Sequence, residues 1–288
     1  MSRAEELQNA TADEFWDRFK EVMGGPDGLM TYRYLGTQAD LSVSEGGASR
    51  MTIRRDMRNP AGGLTAAPLS IAIADAAGVQ GDATGVPAPV STSVHVLDPG
   101  ADVAAVRVHS WGLHSGRTLG FSQAEVVDAD HPERVVAVTR GMGVRVGDAP
   151  PGYAYVDPGP GMPDSPHLPP LHEAFGARRR HDGRWELPEL TQRIGSTSGS
   201  LHHGPIQVVL EAAAFELASR GAGTDRIQIE DWSVMYLQRG KIGPFVVDGD
   251  FVTGPTGRIA CRMSLRDEGV DGRMVSSALA IFTPAHSQ

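Results

Sequence analysis

Cysteine is almost missing from this chain. The single thiol, Cys261, excludes a disulfide framework and any metal site built from several thiolates. Also missing is an unbroken apolar run of about 18 residues, the least that crosses a bilayer as a helix, so no membrane span is expected. The opening MSRAEELQNATADEFWDRFK carries acids throughout and lacks the apolar stretch of a secretory leader, so a cytoplasmic location is expected. Positive charge is scarce: 26 Lys and Arg stand against 35 Asp and Glu, a formal net charge of −9. The one basic tract is Arg178-Arg179-Arg180, and no nucleic-acid partner is expected. What remains is a chain of 288 residues that is 40% hydrophobic, too apolar for disorder. Its length suits one large domain or two of about 140 residues.

The chain repeats itself. Gly63-Leu64-Thr65-Ala66-Ala67-Pro68-Leu69-Ser70 and the segment after it, with Asp75, can be laid over Gly199-Ser200-Leu201-His202-His203-Gly204-Pro205-Ile206 and its continuation, with Glu211. Each copy is a Gly-bearing loop, a small-residue elbow and an apolar segment holding one acid. Downstream, Gly116-Arg117-Thr118-Leu119 matches Gly257-Arg258-Ile259-Ala260, and Arg134-Val135-Val136-Ala137 matches Arg273-Met274-Val275-Ser276. Between the copies, residues 148–183 hold eight prolines (150, 151, 158, 160, 163, 166, 169 and 170), which oppose helix and central strand. That segment is expected to be a connector, able to cross about 100 Å if fully extended. The resulting division is an N-terminal helical extension over 1–35, a first domain over 36–147, the connector over 148–183 and a second domain over 184–288.

Within the extension, Thr11-Ala12-Asp13-Glu14 reads as a capping box ahead of Phe15, Phe19 and Val22 on one helical face. Alternation over 37–45 and 49–56 around Gly46-Gly47 predicts a hairpin. The small, apolar residues of 67–79 predict a buried helix. Strands are expected near 91–97, 103–111, 118–127 and 134–146. The second copy repeats the plan with a strand at 184–190, a helix over 204–219 and strands near 226–237, 244–253, 257–266 and 273–282. One buried helix followed by antiparallel strands is an α+β plan in which a sheet curls around the helix.

Asn59-Pro60-Ala61-Gly62-Gly63-Leu64, the helix acid Asp75, and Leu97-Asp98-Pro99-Gly100 resemble the hotdog-fold acyl-CoA thioesterases, of the 4-hydroxybenzoyl-CoA and phenylacetate-pathway thioesterase-like group. His202-His203-Gly204 and Glu211 carry the same resemblance in the second copy. It covers about 36–147 and 184–284, and implies two tandem hotdog domains fused as a pseudo-dimer. It further implies hydrolysis of acyl-CoA or another acyl thioester, with no cofactor. The site would join the loop of one copy to the helix acid of the other. The thioester carbonyl would meet unpaired N–H groups at a helix N-terminus, and the acid would serve as base or nucleophile. One site then joins His202, His203 and Gly204 with Asp75; the other joins Asn59, Gly63 and Ala67 with Glu211.

Neither loop matches the family pattern fully. Ala66-Ala67-Pro68 stands where His-Gly-Gly is usual, and the second loop has no Asn near Gly195. A hydroxyl among Ser91, Thr92 and Ser93 falls where relatives hold water, whereas the second copy has Gln228 in that region; Ser93 is taken as the substrate-binding candidate. The site around Asp75 is favoured, because a His and an intact Gly stand opposite that hydroxyl-bearing strand. Arg178–Arg180 reads as a solvated stretch, contact with the nucleotide phosphates of coenzyme A being the alternative. No His pair shows metal-ligand spacing, so no metal is expected. Two other functions fit the residues less well: an acyl-thioester-binding protein with decayed sites, and a hotdog hydratase or dehydratase, for which Asp56 precedes Asn59-Pro60 but the His is missing. An open strand edge in each copy predicts a homo-oligomer, a dimer of the fused units.

Overall fold

The computed structural model describes residues 14, 30–35, 49–78, 85–148, 162–196 and 199–285. The helix expected after the capping box and the strand over 37–45 lie outside these. A short helix α1 (Met30–Leu35) and strand β1 (Ser49–Thr52) precede helix α2 (Ala66–Gly78). Then come β2 (Gly85–Val96), β3 (Ala105–Ser115), β4 (Leu119–Asp128) and β5 (Val135–Asp148). A single helical turn α3 (Leu171–Ala174) and the short strands β6 (Arg178–Arg179) and β7 (Trp185–Leu187) lead to the long helix α4 (His203–Ala222). The chain finishes with β8 (Ile227–Tyr236), β9 (Phe245–Thr253), β10 (Ile259–Asp267) and β11 (Arg273–Pro284).

The eleven strands form one sheet in the order β1-β3-β4-β5-β2-β8-β11-β10-β9-β7-β6. Every pairing in it is antiparallel. From the middle outward the order is symmetric: β2-β5-β4-β3-β1 on one side answers β8-β11-β10-β9-β7 on the other. The two halves meet where β2 pairs with β8, Ser93 lying opposite Ser233.

Alternation decides what each strand buries, because successive side chains leave opposite faces. Thr92 and Val94 are buried while Ser93 and His95 face outward, and β10 alternates in the same way from Ile259 to Asp267. Against the buried face lie α2, touching β2 to β5, and α4, touching β8 to β11; the two helices also touch each other. Leu69, Ile71, Ala72 and Ile73 of α2 are at most 3% exposed, and Val208, Val209 and Leu210 of α4 likewise. Each large aliphatic side chain so buried stabilises the fold by about 1.5–3 kcal/mol. Among the described side chains of α2 no polar face is presented, in keeping with a segment that reads as apolar nearly all round, whereas α4 turns Glu216 and the exposed Arg220 away from the core.

In the proline-rich stretch, Pro163, Pro166, Pro169 and Pro170 are described, and a helical turn begins directly after Pro170, whose fixed φ suits a helix start. The basic tract that follows is paired rather than open. Arg178 meets Glu186 at 2.7 Å, Arg179 meets Glu216 at 2.7 Å, and Arg180 meets Glu268 at 2.7 Å. Cys261 is buried on β10 and donates its thiol to the Ala214 carbonyl at 3.4 Å, and burial pushes its pKa up to about 12. It is a core residue.

Candidate active site

The start of α2 accounts for each of its orphan donors. Thr65 N–H donates to the Met57 carbonyl at 3.0 Å, Pro68 has no N–H, and the two groups left are those of Ala66 and Ala67. Both donate to one carboxylate from the other half of the molecule: Ala66 N–H to Glu211 Oε1 at 2.6 Å and Ala67 N–H to Glu211 Oε2 at 2.8 Å. Glu211 sits on α4 and is buried. Burial raises its pKa to about 7, against the two N–H groups, which pull it down. A carboxyl that changes charge near neutrality on a helix N-terminus can take up a proton and return it.

The loop before α2 is stitched from within and across the halves. Asn59 Oδ1 accepts from Ala61 N–H at 3.0 Å and from Gly63 N–H at 3.1 Å, while Asn59 Nδ2 donates to Gln228 Oε1 at 3.0 Å. A Cβ on Gly63 would run into that same Gln228 amide and push it aside from Asn59. Arg58 fixes the loop from behind, donating to the carbonyls of Gly62 at 3.1 Å, Gly100 at 2.9 Å and Val103 at 2.6 Å. Asn59, Gly63, Ala67 and Glu211 are therefore brought together, joined by Gln228 and by the N–H of Ala66.

The N-terminus of α4 is filled differently. His202 caps its own helix: Gly204 N–H donates to His202 Nδ1 at 3.2 Å. Thr31 of α1 lies on the same nitrogen at 3.1 Å and packs against Gly204, where a Cβ would collide with its hydroxyl. A ring nitrogen that accepts an N–H is unprotonated, so His202 is the neutral tautomer with hydrogen on Nε2. Burial first, and His203 second, hold the His202 pKa well below its usual value. The two rings stand 4.0 Å apart, and His203 meets Tyr236 edge-on. Asp75 lies on α2, but its side chain is outside the described residues, so only the loop half of that pairing is seen.

Ser93 is not brought to either helix N-terminus. It is on the outer face of β2, with its hydroxyl 3.5 Å from the Arg140 carbonyl, because Thr92 and Val94 take the inward positions. Thr92, the inward hydroxyl of that run, is held by Ser70 at 3.2 Å. Asp56 is engaged in a buried ion pair with Arg54 at 3.0 Å, and Arg54 also donates to the Tyr34 carbonyl. Among the described residues, no group of His, Cys, Asp and Glu is placed to hold a metal, and no helix is long and apolar enough to cross a membrane.

No protein-family model matches the chain, and no curated protein matches it in sequence. Solved structures do match. A tesB protein of Mycobacterium avium subspecies paratuberculosis superposes with a TM-score of 0.60 at 15% identity, over 86% of this chain and 97% of that one. An acyl-CoA thioesterase II, TesB2, of Mycobacterium marinum gives 0.58 at 12%, over 84% and 94%. A conserved protein of unknown function with a hot dog fold from Alicyclobacillus acidocaldarius gives 0.54 at 11%, over 88% and 99%. At such identities the likeness is one of fold: the chain has the hotdog fold.

Proposed function

We propose that this chain is an acyl-CoA thioester hydrolase whose working centre is the junction of α2 and Glu211. The observation that carries the reading is the buried Glu211 carboxyl, with a pKa of about 7, lying on the N–H groups of Ala66 and Ala67. In the reaction the thioester carbonyl displaces the carboxylate from one of these N–H groups, and the oxyanion that develops there is stabilised by the donor and the helix dipole. Glu211 takes a proton from water as the water oxygen bonds to the carbonyl carbon. Collapse of the tetrahedral intermediate breaks the carbon–sulfur bond, and the proton passes from Glu211 to the leaving thiolate. Asn59 and Gln228 orient the water through their paired amides.

The symmetric strand order supports two tandem hotdog repeats, over 36–147 and 184–288, each wrapped on its helix and joined through 148–183 after the extension 1–35. One centre works in each chain, because Thr31 and His202 occupy the start of α4. A homo-oligomer remains part of the proposal, with different contacts from those the open edges suggested. The terminal strands β1 and β6 have only four and two residues, so association uses the outer sheet face, where Trp111, Phe121, Met235 and Leu279 are exposed.

The second reading is acyl-thioester binding without turnover. It is favoured by the same carboxylate, which already fills both donors in the free protein. Thiol release from short, medium, long and aromatic acyl-CoAs separates the two. Glu211→Gln should lower turnover about 10²-fold or more, and Asp75→Asn should leave it within a few-fold. Equal loss from Asp75→Asn would mean that both centres work. No release from any acyl-CoA, with a thermal shift on adding it, would establish the binding reading.

A further inference from the structure

The loops that follow β2 and β8 occupy matching places, and one serves as a control for the other. Leu97 and Asp98 N–H donate to the Val136 carbonyl, as Leu237 and Gln238 N–H donate to that of Val275. This register sets Asp98-Pro99-Gly100-Ala101-Asp102 against Gln238-Arg239-Gly240-Lys241-Ile242, and Arg134 against Arg273. In the first loop Arg134 lies among three carboxylates, at 2.7 Å from Asp98, 2.8 Å from Asp102 and 3.6 Å from Asp128. In the second loop both acids are gone, Gln238 and Ile242 standing in their places, and two cations have been added.

The remaining acid, Asp267, matches Asp128 and is wholly buried. It receives the backbone N–H groups of Lys241 at 2.6 Å, Ile242 at 3.1 Å and Gly243 at 2.8 Å. Its charge is thus spent on shaping the loop. The three cations are gathered by main-chain carbonyls: Arg273 Nη2 donates to Arg239 O at 2.8 Å, and Lys241 Nζ donates to Gly199 O at 3.0 Å. Arg273 Nε is buried with no hydrogen-bond partner among the described residues. The Lys241 pKa is lowered, by burial first and then by the positive charges of Arg239 and Arg273, so the three act on one another. A chain with a net charge of −9 in which three adjacent cations form no ion pair among the described residues presents a site for a compact polyanion. The site borders the Gly199 loop, which leads into α4, the helix that carries Glu211.

We propose that Arg239, Lys241 and Arg273 bind the phosphate groups of coenzyme A and so hold the carrier end of the thioester. This rests on the thioesterase reading for its ligand, and the test keeps the two apart. Isothermal titration of the full chain with coenzyme A, and separately with unphosphorylated pantetheine, is compared between wild type and Arg239→Glu. The Arg239 side chain is exposed and its carbonyl alone serves Arg273, so the fold is preserved; Lys241→Gln is the second variant.

Coenzyme A affinity should fall tenfold or more in both variants and weaken with added salt, while pantetheine binding stays within twofold. Hydrolysis of an acyl-N-acetylcysteamine thioester, which has no phosphate, should be unaffected. Coenzyme A affinity within twofold of wild type in both variants, or no coenzyme A binding by the wild type, overturns the proposal. So does binding of an acyl carrier protein in place of coenzyme A. If nothing is hydrolysed but both variants lose coenzyme A, the cluster stands and the hydrolase reading falls. If the cysteamine thioester is hydrolysed and coenzyme A binding ignores both variants, the reverse holds.

Discussion

A carboxyl group lodged on two helix N–H groups, away from water, feels opposite pulls. For Glu211 burial is the larger, and its pKa rises from 4.5 to about 7. The folded state therefore binds this proton more tightly than the unfolded chain. Glu211's contribution to stability is complete below 4.5 and is lost as pH rises through about 7. At 1.36 kcal/mol per pH unit the loss is about 3 kcal/mol. Glu211→Gln removes that dependence. Denaturant unfolding at pH 5 and pH 8 should show the variant gaining on wild type by up to about 3 kcal/mol at the higher pH. An equal difference at both pH values would mean that the carboxyl is not strained by burial. Turnover follows the other sign: in the proposed reaction the base is the ionised form, so kcat/KM should rise with pH and be half-maximal at about 7.

The sequence was more legible for elements than for their partners. Among the described residues both long helices and most strands lie within a few residues of where periodicity sets them, because apolar patterns record which face is buried. By contrast, β2 starts six residues early and β1 ends at Thr52. Hydroxyls record no such thing. Ser91, Thr92 and Ser93 form a polar run from which no face can be read, and only the pairing of β2 with β5 and β8 turns Ser93 outward. The preference for Glu211 over Asp75 that we propose was illegible for a related reason. His202-His203-Gly204 has the look of an open helix start, yet His202 satisfies its own helix and Thr31, 171 positions away, completes the filling. Local sequence carries no sign of that contact.

The filled end of α4 makes its own prediction. Thr31→Val keeps the volume but withdraws the hydroxyl that faces His202, so unfolding free energy should drop by about 1 kcal/mol. Thiol release should not change, since the donors proposed to work belong to α2. A fall in turnover without a fall in stability would instead place chemistry at His202. Burial keeps His202 neutral, so its contribution to stability is present above the usual imidazole range and lost as pH falls below it.

For the whole molecule, symmetry of architecture and asymmetry of chemistry coexist. The sheet is symmetric about the β2–β8 seam, yet each elbow has met its N–H groups in a different way: one with an ionisable carboxyl from across the molecule, the other with its own histidine and α1. If the halves are fused copies, as we propose, substitutions in one half no longer have to be tolerated by the other. Titration with a non-hydrolysable thioether analogue of an acyl-CoA should then saturate at one ligand per chain of 30.6 kDa. Two ligands per chain would mean that Thr31 yields to substrate.

Association belongs to this scale too. Exposed Trp111, Phe121, Met235 and Leu279 leave the outer face of the sheet apolar in places where a monomer would be expected to carry charge. Sedimentation equilibrium should return a mass of at least about 61 kDa, twice the 30.6 kDa of one chain. Met235→Lys with Leu279→Lys, both on exposed positions, should reduce that mass to one chain without lowering thiol release per chain, because the proposed centre is built from residues of a single chain. A mass of one chain for the wild type across concentrations would remove the oligomer from the proposal. Loss of turnover on dissociation would show that a second copy completes the centre.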